Sequence, residues 1–215
     1  MPEGTLVFDE VPAGAAYAEA TAKGETAKAA FKFAYAEQGL VVTAYVQDAA
    51  IFGASASVFV NDGIEIDLDK VLRQKGYGEN TVGIVVDANA DVAVKRLADE
   101  ETVENHGVEA NVTPISFDDR TIGGYRLVVT IPYALVGIDA EKADAAVCVG
   151  LNNAYNANIA QFIYADACGE DYANVHTYAH VKADGSLEEN FYLDYAYMWG
   201  DGGNNKRSEE RRVGK

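Results

Sequence analysis

Two cysteines, four prolines, two methionines, one tryptophan and three histidines are all that 215 residues hold of those types, and each scarcity closes a route. With only Cys148 and Cys168 available and no CxxC, neither a zinc site nor a disulfide framework can organise the fold. One disulfide and two buried thiols both remain open, and the apolar run around Cys148 favours thiols. The few histidines and methionines offer no evident axial pair for haem. Basic residues are short as well: 17 against 34 acids give a net charge of −17, which repels phosphate backbones and anionic membranes and argues against nucleic acid as a partner. No apolar run approaches the roughly 18 to 20 residues that span a bilayer, and the opening MPEGTLVFDE has neither the basic nor the apolar part of a leader. No membrane insertion is expected. Catalytic signatures are missing too: there is no GxSxG, no Ser or Cys placed beside a plausible His, and no Gly-rich phosphate loop.

What the chain does have is alternation. Hydrophobic residues make up 49% of it, enough for one substantial core, and they recur with period two in many short runs. Phe31, Phe33 and Tyr35 alternate with Ala30, Lys32 and Ala34; after Glu37-Gln38-Gly39, residues Leu40, Val42, Ala44 and Val46 do the same, which reads as a hairpin. TVGIVVD followed by DANADVAVKRL reads as a second hairpin, and NNAYNANIAQFIYADA as a third with Asn-rich turns. LADEETVENHGVEANVTP is charged and apolar-poor and is read as a surface loop with room for a short helix. GYRLVVTI is a strand that Pro132 ends, and FYLDYAYMW a terminal strand with its aromatics on the core side. About nine to eleven short strands with frequent turns and no long amphipathic helix predict an all-β fold, an antiparallel β-sandwich with jelly-roll or immunoglobulin-like layers.

The domain is expected to run from 29 to 199, with 1–28 as its lead-in and 200–206 as a Gly/Asn-rich linker. The final RSEERRVGK, 207–215, holds four of the seventeen basic residues and resembles the translated read-through of a sequencing adapter. It is set apart from the fold as non-native, and the natural chain is expected to continue as part of a longer polypeptide.

FVNDGIEIDLD, residues 59–69, is the most informative stretch. Ile64, Ile66 and Leu68 fall on one side of a strand and Glu65, Asp67 and Asp69 on the other. The aromatic Phe59 and an Asn61-Asp62-Gly63 turn signal precede them. Such a face suits a sugar surface, a cation site or a solvated strand. Asp87, Asn89 and Asp91 have the spacing that opens a calcium loop, but Val92 and Ala98 stand where its Gly and bidentate Glu belong, so a hairpin turn is the better reading. His176 and His180 lie four apart in a stretch that reads as loop and strand, which argues against a metal site. No cofactor is assigned, the metal content is unknown, and an acidic β-sandwich leaves room for structural calcium.

Four segments in order resemble the family 9 carbohydrate-binding modules, sandwich domains appended to xylanases and other secreted glycoside hydrolases, and their wider DOMON-like relatives. FKFAYAEQGLVVTAYVQD looks like the family's paired strands, FVNDGIEIDLD like its aromatic-x-x-Asp-x-Val-Glu-Ile strand, YRLVVTIPYALVGI like its Ile-Pro-aromatic strand, and VCVGLNNAYN like its Gly- and Asn-bearing strand. The resemblance implies a sugar held between two aromatics, which here fall on Phe59 and Tyr172, with Glu65 contacting hydroxyls. Trp is the family's usual residue at both aromatic positions; Gly169 replaces its Asn, and Gly83 or a neighbour its Arg. The implied protein is a non-catalytic carbohydrate-binding module of an extracellular or cell-surface, polysaccharide-active polypeptide. Its implied partners are a plant cell-wall polysaccharide or oligosaccharide and catalytic or anchoring domains in the same chain. The alternative is a structural or adhesion sandwich with a degenerate sugar cleft.

Overall fold

The computed structural model describes residues 6–8, 27–48, 50–70, 76–117, 122–154, 159–164, 175 and 178–188. Strands β1 (Leu6–Phe8), β2 (Lys28–Ala36), β3 (Gly39–Gln47), β7 (Glu109–Phe117) and β8 (Ile122–Ile131) form one antiparallel sheet in the order β1-β2-β3-β8-β7. The second sheet runs β12-β11-β9-β4-β5-β6, made of β4 (Gly63–Lys70), β5 (Val82–Asp87), β6 (Val92–Arg96), β9 (Ala145–Ala154), β11 (Ala179–Val181) and β12 (Leu187–Glu188). A further strand, β10 (Ile159–Tyr164), pairs with the far half of β9. The twelve segments slightly exceed the nine to eleven expected, and the shortest, β1, β11 and β12, have only two or three residues.

Alternation decides which residues enter the core. Phe31, Leu40, Val42, Val46, Leu127 and Ile131 from one sheet and Ile64, Ile66, Leu68, Ile84 and Leu151 from the other are all fully buried in one cluster. Each such side chain removed from water stabilises the fold by about 1.5–3 kcal/mol before entropy is counted. Tyr35 ties the two layers: from β2 its hydroxyl donates to the Val181 carbonyl of β11 at 2.7 Å and accepts the Ala145 N–H of β9 at 3.1 Å. Burial pushes the phenol up to about 12. Tyr133 stacks on it at 6.2 Å between ring centres.

The expected hairpins are present as β2–β3, β5–β6 and β9–β10, and β8 ends at Ile131 before Pro132. One loop assignment is corrected. The charged stretch leading to Pro114 runs as a loop only as far as Val108; β7 begins at Glu109 and pairs with β8 along nine residues. β7 is the outermost strand of its sheet, the place in a sheet where Pro114 is tolerated. Reading two buried thiols is also wrong for Cys148, which is disulfide-bonded. Its apolar neighbours reflect a central strand buried on both faces rather than a site for a free thiol. The lead-in residues 9–26, the run FYLDYAYMW, the linker and the final nine residues lie outside the described residues, and β1 in the lead-in pairs with β2 where no strand had been expected.

At one end of the sandwich the chain passes from Asp48 through a loop to Asp62 and into β4. The loop is held by side chains that read as a turn signal in the sequence but are fully buried: Asn61 and Asp62 both have zero exposure. The Asn61 amide donates to Ser55 O at 3.0 Å and to Asp87 Oδ2 at 2.7 Å, while its Oδ1 accepts Ser55 N–H at 2.9 Å. The Asp62 carboxyl accepts Ala154 N–H at the end of β9 at 2.6 Å, and also Phe52 N–H. Tyr125, fully buried on β8, presents its hydroxyl to the charges of Asp62, Asp48 and Asp87, and burial together with these charges raises its pKa.

Burial, then the neighbouring Asp48 carboxylate, pushes Asp62 from 3.8 up to about 8 despite its two backbone N–H donors. The folded carboxyl therefore holds a proton that the unfolded one has lost. This contribution is fully present below the unfolded value and is lost as pH rises through the folded one, with a slope of at most about 1.4 kcal/mol per pH unit. Thermal melts are expected to give a Tm at about pH 5.5 at least ~4 °C above that at about pH 8.5. A higher Tm at the alkaline value would contradict this charge assignment.

Candidate carbohydrate-binding face

β4 lies between β5 and β9, and its register places Glu65 between Val85 and Gly150, and Asp67 between Gly83 and Cys148. β6 extends the rows, with Ala93 beside Val85 and Lys95 beside Gly83. These residues make up the outer face of the seven-stranded sheet, the side away from Ile64, Ile66 and Leu68. Asn152 and Asp87 flank Gly63 at the end of the same face nearest the loop. A Cβ on Gly63 would meet the Val86 carbonyl oxygen at 2.3 Å, so only glycine lets β4 start this close to β5.

Phe59 sits in a 3₁₀ turn, Val58–Val60, at the tip of the loop that Asn61 and Asp62 anchor. It is 39% exposed, one of two large hydrophobics open to solvent among the described residues, the other being Ile51 in the same loop. A 3₁₀ turn ahead of a buried anchor turns the ring outward while the next residues go inward. The Lys95 ammonium lies 5.0 Å from the Phe59 ring centre, a cation–π contact. Lys95 was missed from the sequence, although counting by twos along the β5–β6 hairpin puts it on the outer face with Gly83.

Glu65 is half-buried, and burial pushes it up to about 7. The outward position expected for it is therefore correct in direction but drier than a solvated strand. For Asp67 and Asp69 the expectation of solvated acids is overturned, since they are 1% and 0% exposed. Asp69 is an anchor: its Oδ2 accepts the Thr81 hydroxyl at 2.5 Å and its Oδ1 the Lys70 N–H at 2.6 Å, while the same Thr81 oxygen accepts Gly78 N–H at 2.7 Å. Asp67 receives a 3.4 Å bond from the Tyr178 hydroxyl on Oδ2, and its Oδ1 has no partner. Burial first, and the Glu65 carboxylate second, push Asp67 up to about 8. Alternation alone could not foresee this, because it places residues on a face without saying what covers that face.

Gly83, at or near which the resemblance expects an arginine, has a specific neighbour. A Cβ there would come within 2.7 Å of Leu97 Cδ2 and 3.1 Å of Asp67 Oδ1, so the Leu97 side chain lies over this part of the sheet. Asn152, another residue the sequence reading passed over as part of a turn, is 3% exposed with an Oδ1 that has no protein partner. Tyr172, the expected second aromatic, lies outside the described residues, as do Gly169 and His176. His180 contacts the Ala143 carbonyl at 2.6 Å through Nε2 and Glu188 at 3.2 Å through Nδ1, which makes it a structural link.

The Asp87-Asn89-Asp91 stretch is a hairpin turn. Asp87 Oδ1 accepts the N–H groups of Asn89 and Asp91, at 2.8 and 3.0 Å, and its Oδ2 accepts Asn61. Oxygens engaged in this way do not fit a calcium loop, and among the described residues no group of three or more His, Cys, Asp and Glu is placed to hold a metal ion. Asp67→Asn, which mimics the protonated carboxyl, removes a penalty that begins above the unfolded value of 3.8 and grows until the folded value of about 8, so it is expected to raise Tm more at about pH 8.5 than at about pH 5.5. An equal shift at both pH values would contradict the burial of an ionisable Asp67.

The family model described as carbohydrate family 9 binding domain-like matches residues 8–183. Among solved structures, a family 9 carbohydrate binding module from Caldicellulosiruptor kristjanssonii in complex with cellotriose matches with a TM-score of 0.52 at 18% identity, over 71% of this chain and 73% of that one. The same organism's module in complex with glucose matches with a TM-score of 0.51 at 17% identity, over 71% and 74%. Likeness at that identity speaks for the fold. No curated protein matches. The family model spans most of the chain, and the protein belongs to the carbohydrate family 9 binding domain-like family.

Proposed function

We propose that the protein is a non-catalytic carbohydrate-binding module in which Phe59 packs against the apolar C–H face of a pyranose while Glu65 meets its hydroxyls, with Tyr172 as the second aromatic that the family resemblance implies. The observation that carries this reading is an exposed aromatic ring on a loop pinned by two buried side chains, at the rim of a sheet face that holds a half-buried carboxyl. A ring fixed in advance loses little freedom on binding, which favours affinity from a small contact. Membership in the family and the glucose and cellotriose complexes of the structural relatives support a neutral gluco-configured sugar as ligand. Glu65, holding a proton up to about pH 7, can donate as well as accept near neutrality. In a longer, extracellular polysaccharide-active chain such a module acts by tethering, raising the effective concentration of a catalytic neighbour at its substrate.

The second reading is a structural or adhesion sandwich with a degenerate cleft. It is favoured by Leu97 lying over Gly83 and by Lys95 over the Phe59 ring, both of which occupy space a sugar would use. Isothermal titration with glucose, cellobiose, cellotriose and xylan fragments separates the two. Binding of at least one of these, weakened at least about tenfold by Phe59→Ala, is the expected result. Absence of binding across a broad neutral glycan panel overturns the module reading in favour of the structural one.

A further inference from the structure

The outer face of the five-stranded sheet differs in charge from the rest of the molecule. Its register sets Ala30, Tyr45, Arg126 and Thr113 in one row across β2, β3, β8 and β7, and Lys32, Thr43, Val128 and Asn111 in the next. Tyr45 is thus the direct cross-strand neighbour of Arg126, and the Lys32 ammonium stands 5.9 Å from its ring centre. Lys28 extends the same face of β2 by one further position. All three cations are exposed, and none forms an ion pair with a carboxylate among the described residues. On the rest of the described surface several cations are answered by acids: Lys70 by Asp144, Lys142 by Asp139, and Arg96 by Asp99 and Glu101. The one acid on these strands' outer rows is Glu109, on the outermost strand.

Three exposed cations around a tyrosine, with no carboxylate partner among the described residues, make a local positive patch on a chain of net charge −17. We propose that this face is a second glycan-binding surface, separate from the Phe59 site, that takes acidic, carboxylate-bearing polysaccharides on Tyr45 between Lys32 and Arg126. The half-buried Tyr45 ring offers an apolar platform to a pyranose face with its edge in solvent. Arg126 presents a planar fork matched to a carboxylate, and Lys32 a mobile point charge. Thr43, Thr113 and Asn111 supply hydroxyl and amide groups in the same two rows. Neutral glycans lack the anion the cations seek. Nucleic acid would require a far larger basic field than three side chains provide against the overall charge.

The test uses the full chain and oligogalacturonate of about four to six sugars, by titration calorimetry and affinity electrophoresis at low ionic strength and at about 0.3 M salt. Oligogalacturonate is expected to bind, to weaken severalfold with salt, and to be lost when its carboxylates are methyl-esterified. Lys32→Gln with Arg126→Gln is expected to weaken it at least about fivefold, each exposed contact contributing a modest share. Tyr45→Ala weakens it and Tyr45→Phe restores it. A control pair with the same charge change, Lys142→Gln with Lys182→Gln, and the Phe59→Ala variant both leave it unchanged. Failure of oligogalacturonate to bind, indifference to the Lys32 and Arg126 pair, or equal loss in the control pair overturns the proposal. So does a concentration-dependent dimer that Arg126→Gln dissolves, since the face would then serve a second copy of the chain. Cellotriose binding, measured on the same samples, reports on the Phe59 site alone, so the two readings fail independently.

Discussion

The buried carboxyl of Asp62 is the contact on which the rest of this structure turns. Its two oxygens accept backbone N–H groups from Phe52 in the loop and from Ala154 at the end of β9, stretches far apart in the chain. Together with Asn61, which spans from Ser55 to Asp87, it fastens the loop, the start of β4 and the β5–β6 turn into one unit. A buried polar group left without partners would cost a few kcal/mol, and here both side chains are engaged, so the unit is specified rather than merely tolerated. The exposed ring of Phe59 inherits its position from these contacts two and three residues away.

The two outer faces of the sandwich have been put to different uses by the same alternation. On the seven-stranded sheet the outward residues of β4 are largely covered, and burial turns Glu65 and Asp67 into weak acids that hold protons near neutrality. On the five-stranded sheet the cations Lys28, Lys32 and Arg126 are exposed and Thr43, Tyr45 and Val128 half-buried, while Ala30 in the same outward row is fully buried. The first face is dry, recessed and close to neutral below about pH 7; the second is wet and positive. A chain carrying twice as many acids as bases keeps a few of them, Asp62, Glu65 and Asp67, where burial raises their pKa, and carries a cationic patch on the opposite sheet.

Much of the fold was legible from period-two patterning, because a strand half in the core must alternate: the inward sets Leu40, Val42, Val46 and Ile64, Ile66, Leu68 lie where counting by twos puts them. The pattern failed where the residue types carried a second meaning. Asn61 and Asp62 look like turn formers because they usually are, and their role as buried anchors depends on Phe52, Ala154 and Asp87, whose approach is a tertiary fact. The charge and the few apolar residues of LADEETVENHGVEANVTP concealed an edge strand. Asp67 and Asp69 looked solvated because sequence gives the face and not its cover, which here includes Tyr178 and the loop of Gly78 and Thr81. Of the candidate face, Phe59 and Glu65 were singled out by resemblance to the family strand motif, while Lys95 and Asn152 came into view only once the register of β6 and β9 was known.

The loop pinned by Asn61 and Asp62, with the outer rows of β4 and its neighbours, is the proposed neutral-sugar surface. Chemical-shift mapping of backbone amides during a cellotriose titration addresses it most directly. Shifts are predicted to cluster at Phe59, Glu65, Val85, Lys95 and Asn152, with Tyr45, Lys32 and Arg126 unmoved. Shifts centred on the five-stranded sheet, or spread without a focus, would contradict it.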